Sequence, residues 1–537
     1  MSVFSVRDLQ VRFGAVEAVR GASFDVEAGR TLAIVGESGS GKSASLLGAV
    51  GLLPASASVK GSVLYQGREI LRAPSANLRE IWGAQIGFVF QDPLSNLHPL
   101  KTVGDQIGEA ISAHRSISRK EKREQVLALL NDVEISNPAQ RFSDYPRHLS
   151  GGMRQRVMIA MAIALNPSLV IADEPTTALD VTVQASILEL LKRLQERHGT
   201  ALVFVSHDLA VVSDIADDVA VMRDGLVVER ASADAIYSSP THAYTRQLLS
   251  AARLDGPRHY TQSVSASSQE TLLDVNRLGR SFVAHQTVLE DVSFSIAKGE
   301  ILGLVGESGS GKSTIGRLIA GLDRPDAGTI ALAGQQYAKP GRVGPLTDDL
   351  RRAIQVVFQD PYASLNPRRS IEAILSDPFV IAGERDRARL KQMVRQLLAD
   401  VELPEDMLSR FPSQLSGGQR QRIAIARAIA SRPSLVVADE AVSALDITTQ
   451  VKIVELLRRL RDRLGTSFLF ISHDLGVVGE LCDRVIVLEK GRIVEAGPTR
   501  RIFERAEHEY TRRLLASMPG RKRQSESFIS KAASYGH

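Results

Sequence analysis

Gly36-Glu37-Ser38-Gly39-Ser40-Gly41-Lys42-Ser43 recurs residue for residue as Gly306-Glu307-Ser308-Gly309-Ser310-Gly311-Lys312-Ser313. Both copies fit G-x-x-x-x-G-K-[ST]. Each comes after an apolar, strand-like run, Thr31–Val35 or Ile301–Val305, and opens a helix-like segment. That strand–loop–helix context turns the pattern into a phosphate-binding site. The glycines let backbone N–H groups close round phosphate oxygens. The start of the helix adds positive potential. Lys42 and Lys312 neutralise β- and γ-phosphate charge, and the Ser43 and Ser313 hydroxyls are placed to ligate Mg²⁺. Ala44 and Thr314, next in line, belong to the same nucleotide-binding stretch. A glycine-rich turn can imitate one copy by chance, but two identical copies in this context exclude that reading.

The repeat sets the domain organisation. Lys312 lies 270 residues after Lys42 (312 minus 42) in a chain of 537. Two large α/β domains are expected, over residues 1–250 and 271–519. Residues 251–270 are polar, contain Gly and Pro, and read as a flexible linker. The stretch 520–537 carries Arg521-Lys522-Arg523 and several serines, and reads as a disordered tail. Hydrophobic residues make up 44% and aromatics 5%, which suits soluble globular domains. No apolar run is long enough for a membrane span, and the first residues enter a strand-like pattern with no signal-peptide core. The single cysteine, Cys482, excludes an internal disulfide framework and a cysteine zinc site. It reads as a small core residue within the alternating run 481–488. A net charge of +5 permits contact with an anionic membrane surface and calls for no nucleic acid.

Both halves run in the same order. A β-rich start precedes the phosphate loop. A helical stretch comes later, including residues 118–130 and 386–400. Two apolar strands come next, 169–172 and 201–205, matched by 435–438 and Ser467–Ile471. Strands alternating with helices predict a mostly parallel sheet covered on both faces. The runs 169–172 and 435–438 end in Asp173-Glu174 and Asp439-Glu440. A buried strand delivers such carboxylates to the edge of the sheet where phosphate loops lie. Asp173 and Asp439 are expected to hold Mg²⁺, and Glu174 and Glu440 to polarise the attacking water as general bases.

Leu149-Ser150-Gly151-Gly152 and Leu415-Ser416-Gly417-Gly418 each lead into a helix-like run, 153–165 and 419–430. L-S-G-G followed by x-x-Q-R, just before a D-E strand, resembles the signature of ATP-binding cassette (ABC) ATPases. The resemblance implies two P-loop NTPase domains, each with a parallel core, an antiparallel β subdomain and a helical subdomain. It also assigns roles. Ser150, Gly151, Gly152 and Met153, with Ser416, Gly417, Gly418 and Gln419, look like the signature that offers N–H donors to a γ-phosphate. Gln91 and Gln359 look like the glutamines that sense γ-phosphate and Mg²⁺. Asp180 and Asp446 fall in the loop that crosses between halves. His207 and His473 look like the switch histidines. Phe13 and Phe282 stand where the adenine-stacking aromatic is expected, with a core role as the alternative. In the family two cassettes face head to tail and trap two ATP, so that each signature serves the other half's phosphate loop.

The resemblance narrows further, to the paired ATPases of dipeptide, oligopeptide and nickel importers, here fused. SGGMRQRVMIAMA is similar to one member of the pair, and VFQDPYASLNPR with SGGQRQRIAIARA to the other. THAYTRQLL at 241–249 and EHEYTRRLL at 507–515 look like that subfamily's C-terminal segments. Some positions depart from the pattern. Ala441 stands where Pro175 keeps the usual proline, Asn96 and His98 differ from Ser364 and Asn366, and no proline precedes His508 as Pro240 precedes His242. One cysteine leaves no means of building the iron–sulfur centre that some relatives carry.

The resemblance implies an ATP-hydrolysing importer subunit using ATP and Mg²⁺, on the cytoplasmic side of the cell membrane. Two integral-membrane permease subunits and an extracytoplasmic solute-binding protein would be its partners. Peptides, peptide antibiotics, glutathione and nickel are the candidate cargoes. An exporter motor and a soluble tandem cassette acting on ribosomes are the alternatives. The second usually carries a long charged tether, unlike residues 251–270. A DNA-repair cassette would need zinc inserts or long coiled coils, and neither is present.

Overall fold

The computed structural model describes residues 2–177, 179–252, 270–282, 286–344, 347–443 and 445–520. Most of the expected linker and nearly all of the expected tail fall outside them. Contacts divide the described chain into two compact units, one running to Ala252 and including Pro519 and Gly520, the other from Glu270 to Met518. The helix Ala243–Ala251 runs one residue into the stretch read as linker.

Each unit is built round a short strand of five buried residues, Thr31–Val35 or Ile301–Val305. Successive side chains of a strand point to opposite faces, and here both faces are covered. Leu32 and Ile34 join one apolar cluster while Ala33 and Val35 join another. Leu302 and Leu304 divide from Ile301 and Val305 in the same way. A strand buried on both sides reads as a continuous apolar run, which is why these were visible in the sequence.

The core sheet of the first unit has the order Leu226–Ser232, Asp218–Arg223, Thr31–Val35, Ala201–Ser206, Leu169–Asp173, Ile86–Val89. Four of its five pairings are parallel, and only Leu226–Ser232 is antiparallel to its neighbour. The second unit repeats the order with Arg492–Pro498, Arg484–Glu489, Ile301–Val305, Ser467–Ile471, Leu435–Asp439 and Ile354–Val357. On one face lies an antiparallel sheet. It has four strands in the first unit and five in the second, which adds the short strand Arg342–Val343. On the other face lie helices. The expected helix at 118–130 is Arg119–Asp132, started by a reciprocal capping pair between Ser118 and Glu121. Its counterpart Arg387–Asp400 is capped by Asp386.

Cys482 is buried, as its small apolar character suggested, but its place differs. It ends the helix Leu475–Leu481, just ahead of the strand Arg484–Glu489, where burial pushes its thiol well up.

Candidate functional site

The phosphate loops sit where parallel strands deliver them. The N–H of Gly225, in the turn after Asp218–Arg223, donates to Ser40 O at 3.0 Å, and Arg20 N–H donates to Gly225 O at 2.8 Å. Gly491, Ser310 and Glu290 repeat this arrangement. Gly41 and Gly311 have φ of 100° and 105°, in the left-handed region, and a Cβ at Gly41 would stand 2.5 Å from Ala18 O. Only glycine fits there. Gly36, Ser38 and Gly39, like Gly306, Ser308 and Gly309, complete the same two loops.

Inside each loop the lysine is buried. Lys42 Nζ donates to Gly36 O at 2.8 Å and to Glu37 O at 2.9 Å; Lys312 Nζ donates to Gly306 O at 2.7 Å and to Glu307 O at 2.9 Å. The Ser40 and Ser310 hydroxyls are buried with no hydrogen-bond partner among the described residues. A buried orphan of this kind is costly unless something else supplies the bond, and an anionic oxygen would do so.

The carboxylates converge on these loops. Ser43 Oγ donates to Asp173 Oδ1 at 3.0 Å, and Ser313 Oγ to Asp439 Oδ1 at 3.1 Å. Gln91 Nε2 donates to Glu174 Oε2 at 2.9 Å, and Gln359 Nε2 to Glu440 Oε2 at 2.7 Å. His207 Nδ1 lies 3.3 Å from Glu174 Oε1, and His473 Nδ1 lies 3.3 Å from Glu440 Oε1. Thus Gln, Glu and His, each lying just after a different strand, meet at one carboxylate in each unit. Sequence reasoning missed Thr177, whose hydroxyl donates to Glu174 Oε2 at 3.0 Å.

The two acids of each pair are pushed apart electrostatically. Burial raises Asp173 and Asp439 above the ordinary carboxylate range. Burial acts on Glu174 as well, but His207, Lys42 and Thr177 together outweigh it and hold that carboxyl below its usual value. Glu440 behaves alike, with His473, Lys312 and Ser443 in those roles. Burial opposes a charged His207 ring, yet the facing Glu174 carboxylate lifts its pKa. Neighbouring carboxylates with opposed shifts are a mark of acid–base sites. Glu174 and Glu440 also have φ of 45° and 48°. Their N–H groups donate to Val205 O and Ile471 O at 3.1 and 2.9 Å, which anchors this unusual backbone.

A family profile described as "ABC transporter" matches residues 19–177 and again 289–443. The chain belongs to the ABC transporter ATPase family. A second profile, "Oligopeptide/dipeptide transporter, C-terminal region", matches residues 228–282 and 494–534. Among curated relatives, the "Uncharacterized ABC transporter ATP-binding protein YejF" of Escherichia coli K12 is 42% identical, over 96% of this chain and 99% of that one. The "Glutathione import ATP-binding protein GsiA" of Salmonella typhimurium LT2 is 42% identical, over 96% of this chain and 89% of that one. The protein is therefore a tandem ATP-binding cassette ATPase. Among the described residues no helix is long and apolar enough to cross a membrane.

The two cassettes differ at the signature. Ser150 Oγ and Ser416 Oγ each cap their helix, Gly151–Ile163 and Gly417–Ile429, by accepting an N–H at 3.3 Å. Gln419 Oε1 returns a bond to Ser416 N–H at 2.9 Å, completing a capping box that Met153 cannot form. Asp446 accepts from Thr449 N–H and from the Thr448 and Thr449 hydroxyls. Val183 stands where Thr449 does, so Asp180 lacks the second hydroxyl. The aromatics differ as well. Phe13 packs on the antiparallel-sheet core, whereas Phe282 is exposed with the Arg280 guanidinium 4.8 Å over its ring. Ala178 and Ala444 lie outside the described residues.

Gly152 and Gly418 have a reason within their own domains. A Cβ would stand 2.5 Å from Val183 Cγ1 at the first and 2.4 Å from Thr449 Cγ2 at the second. Gly152→Ala should therefore lower stability by about 1–3 kcal/mol through overpacking, despite alanine's better helix propensity. Val183→Ala in the same chain should restore part of it. An unchanged melting temperature in the single variant would refute the close-packing account.

Proposed function

We propose that this chain powers import of a peptide or a related small solute, glutathione included, through separate membrane permeases. Support comes from the doubled constellation Ser43–Asp173 with Gln91–Glu174–His207 and Ser313–Asp439 with Gln359–Glu440–His473. To this is added the peptide-transporter C-terminal region in both halves. The ATPase domains are taken as residues 1–250 and 271–519, joined by 251–270, with 520–537 as a tail.

In each cassette the loop glycines and Lys42 or Lys312 bind the phosphates, and Phe13 or Phe282 meets the base. The donor set of Ser43, Asp173 and Gln91, repeated by Ser313, Asp439 and Gln359, suits a hard cation held by oxygen ligands. These residues would hold Mg²⁺, which supplies charge neutralisation on the phosphates. Glu174 and Glu440, kept ionised by their histidines, take the proton of the attacking water. His207 and His473 orient that carboxylate, and Gln91 and Gln359 tie its other oxygen to the segments just after them. Ser150 and Ser416 start the helices whose N–H groups face a γ-phosphate, and Asp180 and Asp446 shape the adjoining loops.

Docking of this chain at the cytoplasmic face on two integral-membrane permease subunits, fed by an external solute-binding protein, completes the proposal. The decisive test is uptake of labelled di- and tripeptides and of glutathione by cells carrying this chain or its Glu174→Gln, Glu440→Gln variant. Uptake of at least one should fall more than about tenfold in the variant, in step with its ATPase. Unchanged uptake with impaired efflux from preloaded cells would favour the exporter reading instead.

A further inference from the structure

In both units the C-terminal segment ends on the phosphate loop. The Glu229 carboxylate accepts the N–H groups of Thr241 and His242, at 2.7 and 3.0 Å. His242 then caps the helix Ala243–Ala251, its Nδ1 accepting Tyr244 N–H at 3.2 Å. Tyr244, 3% exposed, turns its hydroxyl to the loop and accepts Glu37 N–H at 3.1 Å. The second unit repeats every step. Glu495 takes the N–H groups of Glu507 and His508, His508 caps Glu509–Ala516, and the Tyr510 hydroxyl accepts Glu307 N–H at 3.0 Å.

The acceptor's target matters. Glu37 N–H belongs to the peptide unit whose carbonyl is Gly36 O, and that oxygen takes Lys42 Nζ at 2.8 Å. Gly306 O and Lys312 Nζ form the same pair at 2.7 Å. One peptide unit therefore lies between a phenol and the phosphate lysine. Rotating it would break both bonds at once, and bonds in series across a peptide polarise one another.

We propose that Tyr244 and Tyr510 are positioning residues of the nucleotide sites, holding the peptide that sets the lysine's place. The inference rests on the reading of Lys42 and Lys312 as phosphate-binding lysines. Each tyrosine ring is itself held, with the Arg223 guanidinium 4.9 Å over Tyr244 and that of Arg513 5.4 Å over Tyr510. Burial pushes the Tyr510 phenol up to about 12, so it stays neutral at working pH. A ring that served packing alone would need no hydroxyl, and phenylalanine would do as well. The C-terminal segment thereby acquires a direct hold on ATP affinity.

The test uses the full chain with a Tyr244→Phe, Tyr510→Phe double change. Steady-state KM and kcat for Mg·ATP, equilibrium Mg·ATP binding, and the melting temperature without nucleotide are measured together. Loss of a single neutral hydrogen bond per site should raise KM and Kd about three- to tenfold, with kcat within about twofold. The proposal stands on that split, and any other pattern overturns it, including a lower melting temperature at unchanged KM. The Lys42→Ala, Lys312→Ala variant runs beside it. If that variant binds Mg·ATP normally, the site reading and this inference both fall. If it loses binding while the phenylalanine variant keeps it, only this inference does.

Discussion

Changing Glu174 and Glu440 together to Gln is expected to cut ATP turnover by about 10²–10⁴-fold, the usual worth of a positioned general base. Either change alone should cost at least about tenfold if each site needs the other to cycle. Gln keeps the shape of Glu and one of its two acceptor oxygens, so the φ near 45° at these positions and the backbone bonds to Val205 O and Ile471 O persist. The charge and one acceptor oxygen disappear. Glu174 sits low because His207, Lys42 and Thr177 overcome its burial, and His207 sits high because Glu174 faces it. The neutral amide takes no proton from water and leaves the imidazole without its counter-charge. Mg·ATP binding should survive, because Lys42, Ser43 and Asp173 are untouched. Turnover and binding must therefore be measured on the same preparation. Normal turnover in the Glu440→Gln chain would mean that the second site does not hydrolyse, and the equivalence of the two cassettes would be lost.

How much of this was legible depended on whether the information was local. Strands buried on both faces appear as unbroken apolar runs, so Thr31–Val35, Ile301–Val305 and Ser467–Ile471 were read to the residue. The loop pattern and the D-E strand ends carry their chemistry in adjacent positions. The roles of Gln91 and His207 came instead from resemblance, and their meeting at Glu174 from the structure, because no spacing in the chain announces it. The contact from Tyr244 to Glu37 spans 207 residues. Its one trace was the tyrosine shared by THAYTRQLL and EHEYTRRLL, which suggested a common segment but gave no target. Gly152 shows another limit. The signature pattern ties it to a γ-phosphate, while Val183 on the next helix already demands a glycine there. Phe13 and Phe282, equivalent by position, parted because one is packed and the other exposed. Exposure of a single ring depends on how neighbouring strands and loops lie over it, which the residue type does not encode.

Replacing Lys42 and Lys312 together by Ala should abolish tight Mg·ATP binding. Each lysine is buried at 5% exposure, and its ammonium is held by hydrogen bonds to neutral carbonyls of its own loop, at 2.7–2.9 Å. Those carbonyls fix its position in the loop, from which it meets phosphate as a cation. A charge-assisted bond to phosphate is roughly twice as strong as a neutral one, and the low dielectric around a buried ammonium strengthens it further. Removal also leaves the loop carbonyls without their donor and the phosphates without their cation, so the loss should exceed the threefold to tenfold of the tyrosine variant by at least about another tenfold. A single lysine change should eliminate one of two sites in an equilibrium titration and leave the other's affinity nearly intact, since the two loops lie in separate units. Folding should be little affected, and the melting temperature without nucleotide checks this directly. Two tight Mg·ATP sites remaining in the double variant would show that these loops are not where the phosphates bind.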